Sequence, residues 1–396
     1  PLRGQGHDMA GMGDSAGGVQ FHFGAHAVGL GTRVAPAFAD RTLTEFYLTQ
    51  PTLMGGVSVL DDRLSLMTTI SLEGLTLERG ELGPGTYGEG YIDRRHPHTY
   101  LHEAMLVAQT ELPSHESLPL AVSVSAGRGF APFGTDDPMM RPIVRFPVNH
   151  HLSQVLERLV VIGGVRVGPA ILELATFNGN EPLDPEDLGD IDRFGDSWSA
   201  RVTLRPLPRW ELQASRAWLN SPEEPTGEGN DTRKLSTSVR HDGMLGANHV
   251  YGLVEWSRST HVAPRGDDIS NSSLLAEGAF TRAAWTGALR LERTDRAEEG
   301  RISPFRTAWP PVDHLVIGIT KWHVASVQVE RTFDIHGVRT APFLGGSVAR
   351  VTSDGGFLFD PHEFYGSNNI WSISWGLKVD LGARHGRMGR YGVANG

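Results

Sequence analysis

Along the stretch WSISWGLKVDLG, every second residue is large and apolar: Trp371, Ile373, Trp375, Leu377, Val379 and Leu381. Between them stand Ser372, Ser374, Gly376, Lys378, Asp380 and Gly382. A β-strand points successive side chains to opposite faces, so a period of two predicts a two-faced strand. The pattern recurs in DSWSARVTLRPL, where Trp198, Ala200, Val202 and Leu204 oppose Ser199, Arg201, Thr203 and Arg205. In AWTGALRLERT, Trp285, Gly287, Leu289 and Leu291 oppose Thr286, Ala288, Arg290 and Glu292. In SVQVERTF, Val327, Val329 and Phe333 oppose Gln328, Glu330 and Thr332, and Arg331 interrupts the apolar side. YLHEAMLVAQTEL allows either assignment of faces, and RLSLMTTISLEGLTLE shifts register near Gly74, as at a β-bulge.

A soluble sandwich strand alternates because one face meets a core. A membrane-barrel strand alternates because one face meets lipid and the other a polar lumen. The connections discriminate. Short turns fall near Asp61-Asp62, Pro113-Ser117, Gly163-Gly168, Pro206-Arg209, Asp242-Gly246 and Arg282-Ala284. Long polar or Gly/Pro-rich loops fall near 79–97, 132–148, 180–196, 221–232, 261–271, 295–312 and 353–369. Short turns alternating with long loops are the rhythm of a barrel with tight periplasmic turns on one rim and long external loops on the other. The expected fold is therefore all-β: a closed antiparallel transmembrane β-barrel of about 16 strands. Its span is 18–383, preceded by a flexible His/Met-containing leader, 1–17, and followed by a basic C-terminal tail, 384–396. Trp198, Trp210, Trp218, Trp309, Trp322 and Trp371 stand near strand ends and are expected to form interfacial girdles.

The chain has 396 residues, long for one soluble β domain and ordinary for a barrel. No apolar run approaches the ~18 residues of a membrane helix. Gly 48 and Pro 24 suit many strands and turns. A net charge of -10 argues against nucleic-acid binding. Cys 0 excludes disulfides and thiolate metal sites. A start at Pro1 rather than Met suits a processed chain whose signal peptide has been removed. These readings point to a bacterial outer membrane, with the lipid bilayer and lipopolysaccharide as surroundings.

Two segments carry a family resemblance. SAGRGFAPFGTDDPMMRPIVRFP, 125–147, passes from a strand ending in Gly-Arg-Gly-Phe through Pro-Phe-Gly into a long loop. ELATFNGNEP, 173–182, ends a strand in Phe-Asn-Gly before another long loop. Both resemble the phosphate-selective porin family and its relatives. The resemblance implies a 16-stranded outer-membrane barrel, often trimeric, whose lumen passes anions. Lysine is confined to Lys234, Lys321 and Lys378, so the clustered lysines of phosphate channels are lacking and phosphate selectivity does not carry over. RHGRMGRYGVANG follows the last strand, where barrel proteins usually finish on an aromatic residue.

On the polar face, Arg201, Arg205, Arg290, Glu292, Lys378, Asp380, Glu173 and Glu330 are expected to line the lumen. Charged rings set ion preference in pores; alternatively, these groups pair with one another and plug the barrel. The loop 132–149 would fold inward by analogy with porins, with Asp136, Asp137, Arg141 and Arg145 as opposed charges at a constriction. His7, Met9 and Met12 in GHDMAGMGDS form a soft donor set that suits copper, as in the leaders of copper-resistance outer-membrane proteins. His96, His98 and His102 share a face of an extended chain, beside Asp93 and Glu103, and suit copper or zinc. Solvated tail and rim residues are the alternative for both groups. No Gly-x-Ser-x-Gly or HExxH occurs, and no enzyme activity is expected. The expected role is passive passage of small polar or charged solutes, by a homotrimer or within a larger envelope assembly. A copper-handling barrel and a filled structural barrel serving as a platform are the alternatives.

Overall fold

A computed structural model describes residues 18–76, 99–114, 118–148, 150–262, 268–304, 306–307, 316–353, 358–382 and 387–395. The strands run β1 (Gln20–Phe38), β2 (Arg41–Val59), β3 (Leu64–Ser71), β4 (Leu101–Leu112), β5 (Leu120–Gly129), β6 (Arg158–Val167) and β7 (Ala170–Phe177). They continue through β8 (Ser197–Leu204), β9 (Trp210–Leu219), β10 (Asp231–Leu245), β11 (Asn248–Val262), β12 (Ile269–Arg282) and β13 (Trp285–Glu299). A small hairpin, β14 (Arg301–Ser303) and β15 (Arg306–Thr307), precedes β16 (Val316–Arg331), β17 (Phe333–Ile335), β18 (Val338–Ser353) and β19 (Asn369–Gly382). One 17-stranded sheet holds all but the hairpin, and β16 and β17 are halves of one strand broken at Thr332, so the wall has 16 antiparallel staves. Each pairs with its sequence neighbour, and β1 closes the ring on β19 from Gly24↔Gly382 to Ala35↔Trp371. Closure leaves no sheet edge, which a bilayer requires because no water is there to satisfy backbone groups.

The alternation lies as the sequence predicts. Trp371, Ile373 and Trp375 are 41%, 46% and 39% exposed on the outside, while Ser372 and Ser374 are 3% and 2% exposed on the inside. Outward apolar positions continue around the wall, as at Leu66, Leu106, Val124, Leu174 and Val202. So large a continuous apolar surface is stable only against hydrocarbon. Connections at 60–63, 168–169, 246–247, 283–284 and 336–337 are short and mark one rim, where β1 begins and β19 ends. The longer loops mark the opposite, external rim; the exception there is the two-residue turn at 39–40 between the two 19-residue strands.

Two sequence expectations change. RLSLMTTISLEGLTLE contains no bulge at Gly74; β3 stops at Ser71 and a 3-10 turn, Glu73–Leu75, follows. Trp322 is not an interfacial girdle residue: it is fully buried inside the barrel, donates Nε1 to Thr320 Oγ1 at 2.9 Å and meets Tyr365 edge-on at 6.1 Å. Trp309 lies outside the described residues. Of the basic tail, 387–395 returns into the lumen and ends in a 3-10 turn, Gly392–Ala394.

Candidate functional site

Two segments cross the inside of the barrel. The first is the connection 130–157 between β5 and β6, which includes a 3-10 turn, Pro138–Met140, and the short α1 (His150–Ser153). It folds inward because its own side chains supply a second core: Phe130, Phe133, Met139 and Phe146 pack with Met105, Val160 and Phe177 of the wall. Its backbone is held by lumen side chains. Val144 N donates to Gln328 Oε1 at 3.0 Å, Val148 N to Glu292 Oε2 at 2.7 Å, and Gly134 N to Ser215 Oγ at 3.1 Å. Gly134 sits at φ 70, where a Cβ would stand 1.8 Å from Ser153 O, so only glycine fits this close approach.

The charges on this loop are spent on the wall. Arg141 Nη2 meets Glu255 Oε1 at 3.2 Å with both side chains fully buried. Arg145 binds Ser347, and its carbonyl accepts from Arg290 Nη1 at 2.5 Å, while Arg290 pairs with Glu277. Asp136 accepts from Arg240 Nε at 2.5 Å and from Arg387 Nε at 2.9 Å. Burial alone would raise the Asp136 carboxyl, but the Arg387, Arg240, Arg390 and Arg141 guanidiniums outweigh it and hold the carboxyl well below its ordinary range. Asp137 caps the turn by accepting from Met139 N at 2.7 Å and binds Gln154 Nε2 at 3.0 Å.

The second crossing segment is the C-terminal tail. Arg387 forks onto Glu211, with Nη1···Oε2 2.8 Å and Nη2···Oε1 3.0 Å. Burial works against its charge, yet Asp136 and Glu211 raise its basicity. Arg390 donates to Glu211 Oε1 at 3.2 Å, Gln213 Oε1 at 2.7 Å and Thr203 Oγ1 at 3.2 Å. Tyr391 OH donates to Glu103 Oε1 at 2.6 Å and accepts from Phe130 N at 3.1 Å, so it joins the tail to both wall and loop. Burial and the Glu103 carboxylate push this phenol well above its ordinary value, which keeps it a donor. Val393 N donates to Ser123 Oγ at 3.2 Å.

The barrel as a whole has solved counterparts. An anion-selective porin from Comamonas acidovorans superposes with a TM-score of 0.53 and 8% identity, covering 92% of this chain and 100% of that one. The fold is that of an outer-membrane porin. A loop-deletion mutant of OmpT, an outer membrane protein of Vibrio cholerae, superposes with a TM-score of 0.50 and 8% identity, over 92% of this chain and 100% of that chain. No protein-family model matches the sequence, and no characterised protein matches it at the level of sequence.

Within this porin fold the sequence-predicted lumen residues face inward, and most are paired. Arg201 clasps Glu173 at 2.6 and 2.7 Å and reaches Gly389 O of the tail at 3.1 Å. Lys378 pairs with Glu330, and Asp380 accepts from His26 Nδ1 at 2.7 Å. Arg205 stands at the periplasmic mouth, 3.6 Å from Glu211 and 3.4 Å from Ala394 O. Burial and the neighbouring Arg387 lower its basicity against the opposing pull of Glu211. His102 lies in the lumen with Nδ1 2.5 Å from Glu157 Oε1 and its ring edge-on to Phe130. His7, Met9, Met12, His96 and His98 lie outside the described residues, and no group of three or more His, Asp or Glu at metal-holding spacing occurs among the described ones. Sequence reading named Glu103 only beside a candidate metal group, and missed Glu211, Arg240, Glu255, Arg387 and Arg390. Alternation alone places Glu211, Gln213 and Ser215 opposite Leu212 and Ala214, and was the available signal.

Proposed function

We propose that this protein is a porin-like channel for passive diffusion of small polar or charged solutes, with no chemical step. The observation that supports this most is a polar barrel interior narrowed at one level by an inward loop and an inward tail. Glu211, Asp136, Arg387 and Arg390 meet there. A solute would be sorted by the width between these segments and the opposite wall, and by the lumen charge it passes. Planar-bilayer recording of the whole chain tests the reading: discrete conductance steps are expected, and a silent bilayer containing correctly folded barrel refutes it.

A filled structural barrel is the second reading. The pairing of so many lumen cations with lumen carboxylates favours it, since each pair consumes charge that a moving ion would use. A bilayer that stays silent even after removal of 387–396 would select this reading, because the tail would then not be what closes the path.

We also propose self-association as a homotrimer through β3 to β7. Their lipid-facing residues, including Leu66, Leu106, Val124, Val161 and Leu174, are uncharged, and these strands are the short side of the barrel at 8 to 12 residues each. Sedimentation in mild detergent should show a species above monomer mass; a monomer at all concentrations overturns it.

A further inference from the structure

The outer wall carries cations where the apolar belt ends. On β19 the belt runs from Leu381 up to Trp371. Ten residue steps at about 3.3 Å, tilted near 40°, give about 25 Å of height, a whole hydrocarbon layer. The next outward position toward the external rim is Asn369, and in cross-strand register it continues into Arg350, His323 and Arg293 on β18, β16 and β13. Three cationic or protonatable side chains thus stand directly opposite one another on adjacent strands. Like charges so placed repel. Among the described residues none of the three has a hydrogen-bond or ion-pair partner in the protein. Among the described outward positions of β12 and β13, the carboxylate next to this row is Asp295, one outward step further up, where it accepts from Ser272 N and Oγ at 3.3 and 2.9 Å and faces Lys321.

This row and the wall directly below it line a depression of about 630 Å³. Ala276 and Ala325 form its floor, with Leu274, Leu291, Val348 and Trp371 around them. Ala276, Leu291, Ala325, Val348 and Trp371 share one cross-strand row, so the two alanines open the hollow between longer neighbours. The cation row and the apolar row are two residues apart, about 7 Å along the strand. An apolar hollow under unpaired cations, at the external edge of the belt, is complementary to an acyl chain under a phosphate.

We propose that Arg293, His323 and Arg350 bind a phosphate of lipopolysaccharide in the external leaflet, and that one of its acyl chains lies in the hollow over Ala276 and Ala325. The phosphate sits between the cations and removes their mutual repulsion, and the long Arg stems reach up to it from the belt edge. The site is on the outside of the wall and depends on the membrane-barrel fold, not on whether the lumen conducts. An outer-leaflet glycerophospholipid offers the same phosphate chemistry but a single diester charge, and the test separates the two.

The whole chain, purified in detergent, would be titrated with bisphosphorylated lipid A, with dephosphorylated lipid A and with phosphatidylglycerol, and bound lipid read by native mass spectrometry. Expected is retention of bisphosphorylated lipid A, with dephosphorylated lipid A and phosphatidylglycerol at least roughly tenfold weaker. Arg293→Gln with Arg350→Gln should weaken lipid A by roughly tenfold to a hundredfold, and Ala325→Trp should weaken it by filling the hollow. Both variants should keep the heat-dependent gel mobility of the folded barrel and the conductance of the parent. Equal lipid A binding by the double-Gln variant overturns the proposal. So does phosphatidylglycerol binding as tight as lipid A.

Discussion

Tyr391→Ala is the most direct probe of what closes the lumen. Tyr391 is 2% exposed and contacts two different elements, Glu103 of β4 and Phe130 at the root of the inward loop. Truncating a buried aromatic side chain to alanine costs about 3–5 kcal/mol. Here the loss falls on the docked tail, because Glu103 keeps its 2.9 Å bond from Thr69 Oγ1 and the wall behind it is continuous sheet. A loss near 4 kcal/mol shifts the docked-to-free ratio of the tail about a thousandfold. Tyr391→Phe removes only the hydroxyl, about 1–2 kcal/mol, and should leave the tail docked. Trypsin reads the release, since Arg387 and Arg390 become cleavable only when the tail leaves the lumen; planar-bilayer conductance reads the consequence. Expected is fast trypsin cleavage and a larger unit conductance for the alanine variant, with neither for the phenylalanine variant. Cleavage without any change in conductance would refute the assignment of the tail to the constriction. Resistance to trypsin in the alanine variant would refute the packing account itself.

Further outcomes follow from the same geometry. Arg141→Met removes the guanidinium that pairs with the fully buried Glu255, and should lower barrel stability by about 3–5 kcal/mol. Adding Glu255→Leu should restore most of that loss, read as the temperature of the folded-to-unfolded gel shift. Gly134→Ala forces a Cβ against Ser153 O and should displace the inward loop, costing more than about 1 kcal/mol and altering unit conductance while the barrel still forms. Asp136 has a depressed carboxyl pKa, so its contribution to the loop–tail network is fully present above about pH 4, the ordinary carboxylate range. Below that range the contribution declines progressively and is gone only once pH has fallen through the lower docked-state value; protection of the tail probed with an acid-active protease should therefore be intact near pH 4 and weaken gradually, not abruptly, at lower pH.

The wall was legible in the sequence because lipid and lumen impose opposite demands on neighbouring residues. Trp371, Ile373 and Trp375 face outward with no competing influence, and Arg201 and Arg290 face inward for the same reason. Trp322 was misread because β16 carries large apolar residues on both faces. Its inner face packs Trp322 and Val324 against Tyr365, Phe359 and the β18 residue Val351, under an external loop whose fold no local pattern announces. β3 was overextended because Leu75 and Leu77 keep the period of two after the strand has ended. The inward loop could be suspected from its charges, but its partners could not. Asp136 meets Arg387, and Glu103 meets Tyr391, at sequence separations of 251 and 288. Such pairs exist only once the ring has closed, and one sequence carries no direct trace of them.

That order of events has a kinetic consequence. The tail begins a few residues after the seam at which β19 meets β1, and its anchors come from β4, β5, β8 and β9 together with the loop. It can seat only in a finished cylinder. Contacts made after the rate-limiting step leave insertion speed unchanged and act on the reverse process alone. Arg387, Arg390 and Tyr391 therefore work as a latch, lengthening the lifetime of the assembled barrel without hastening its birth.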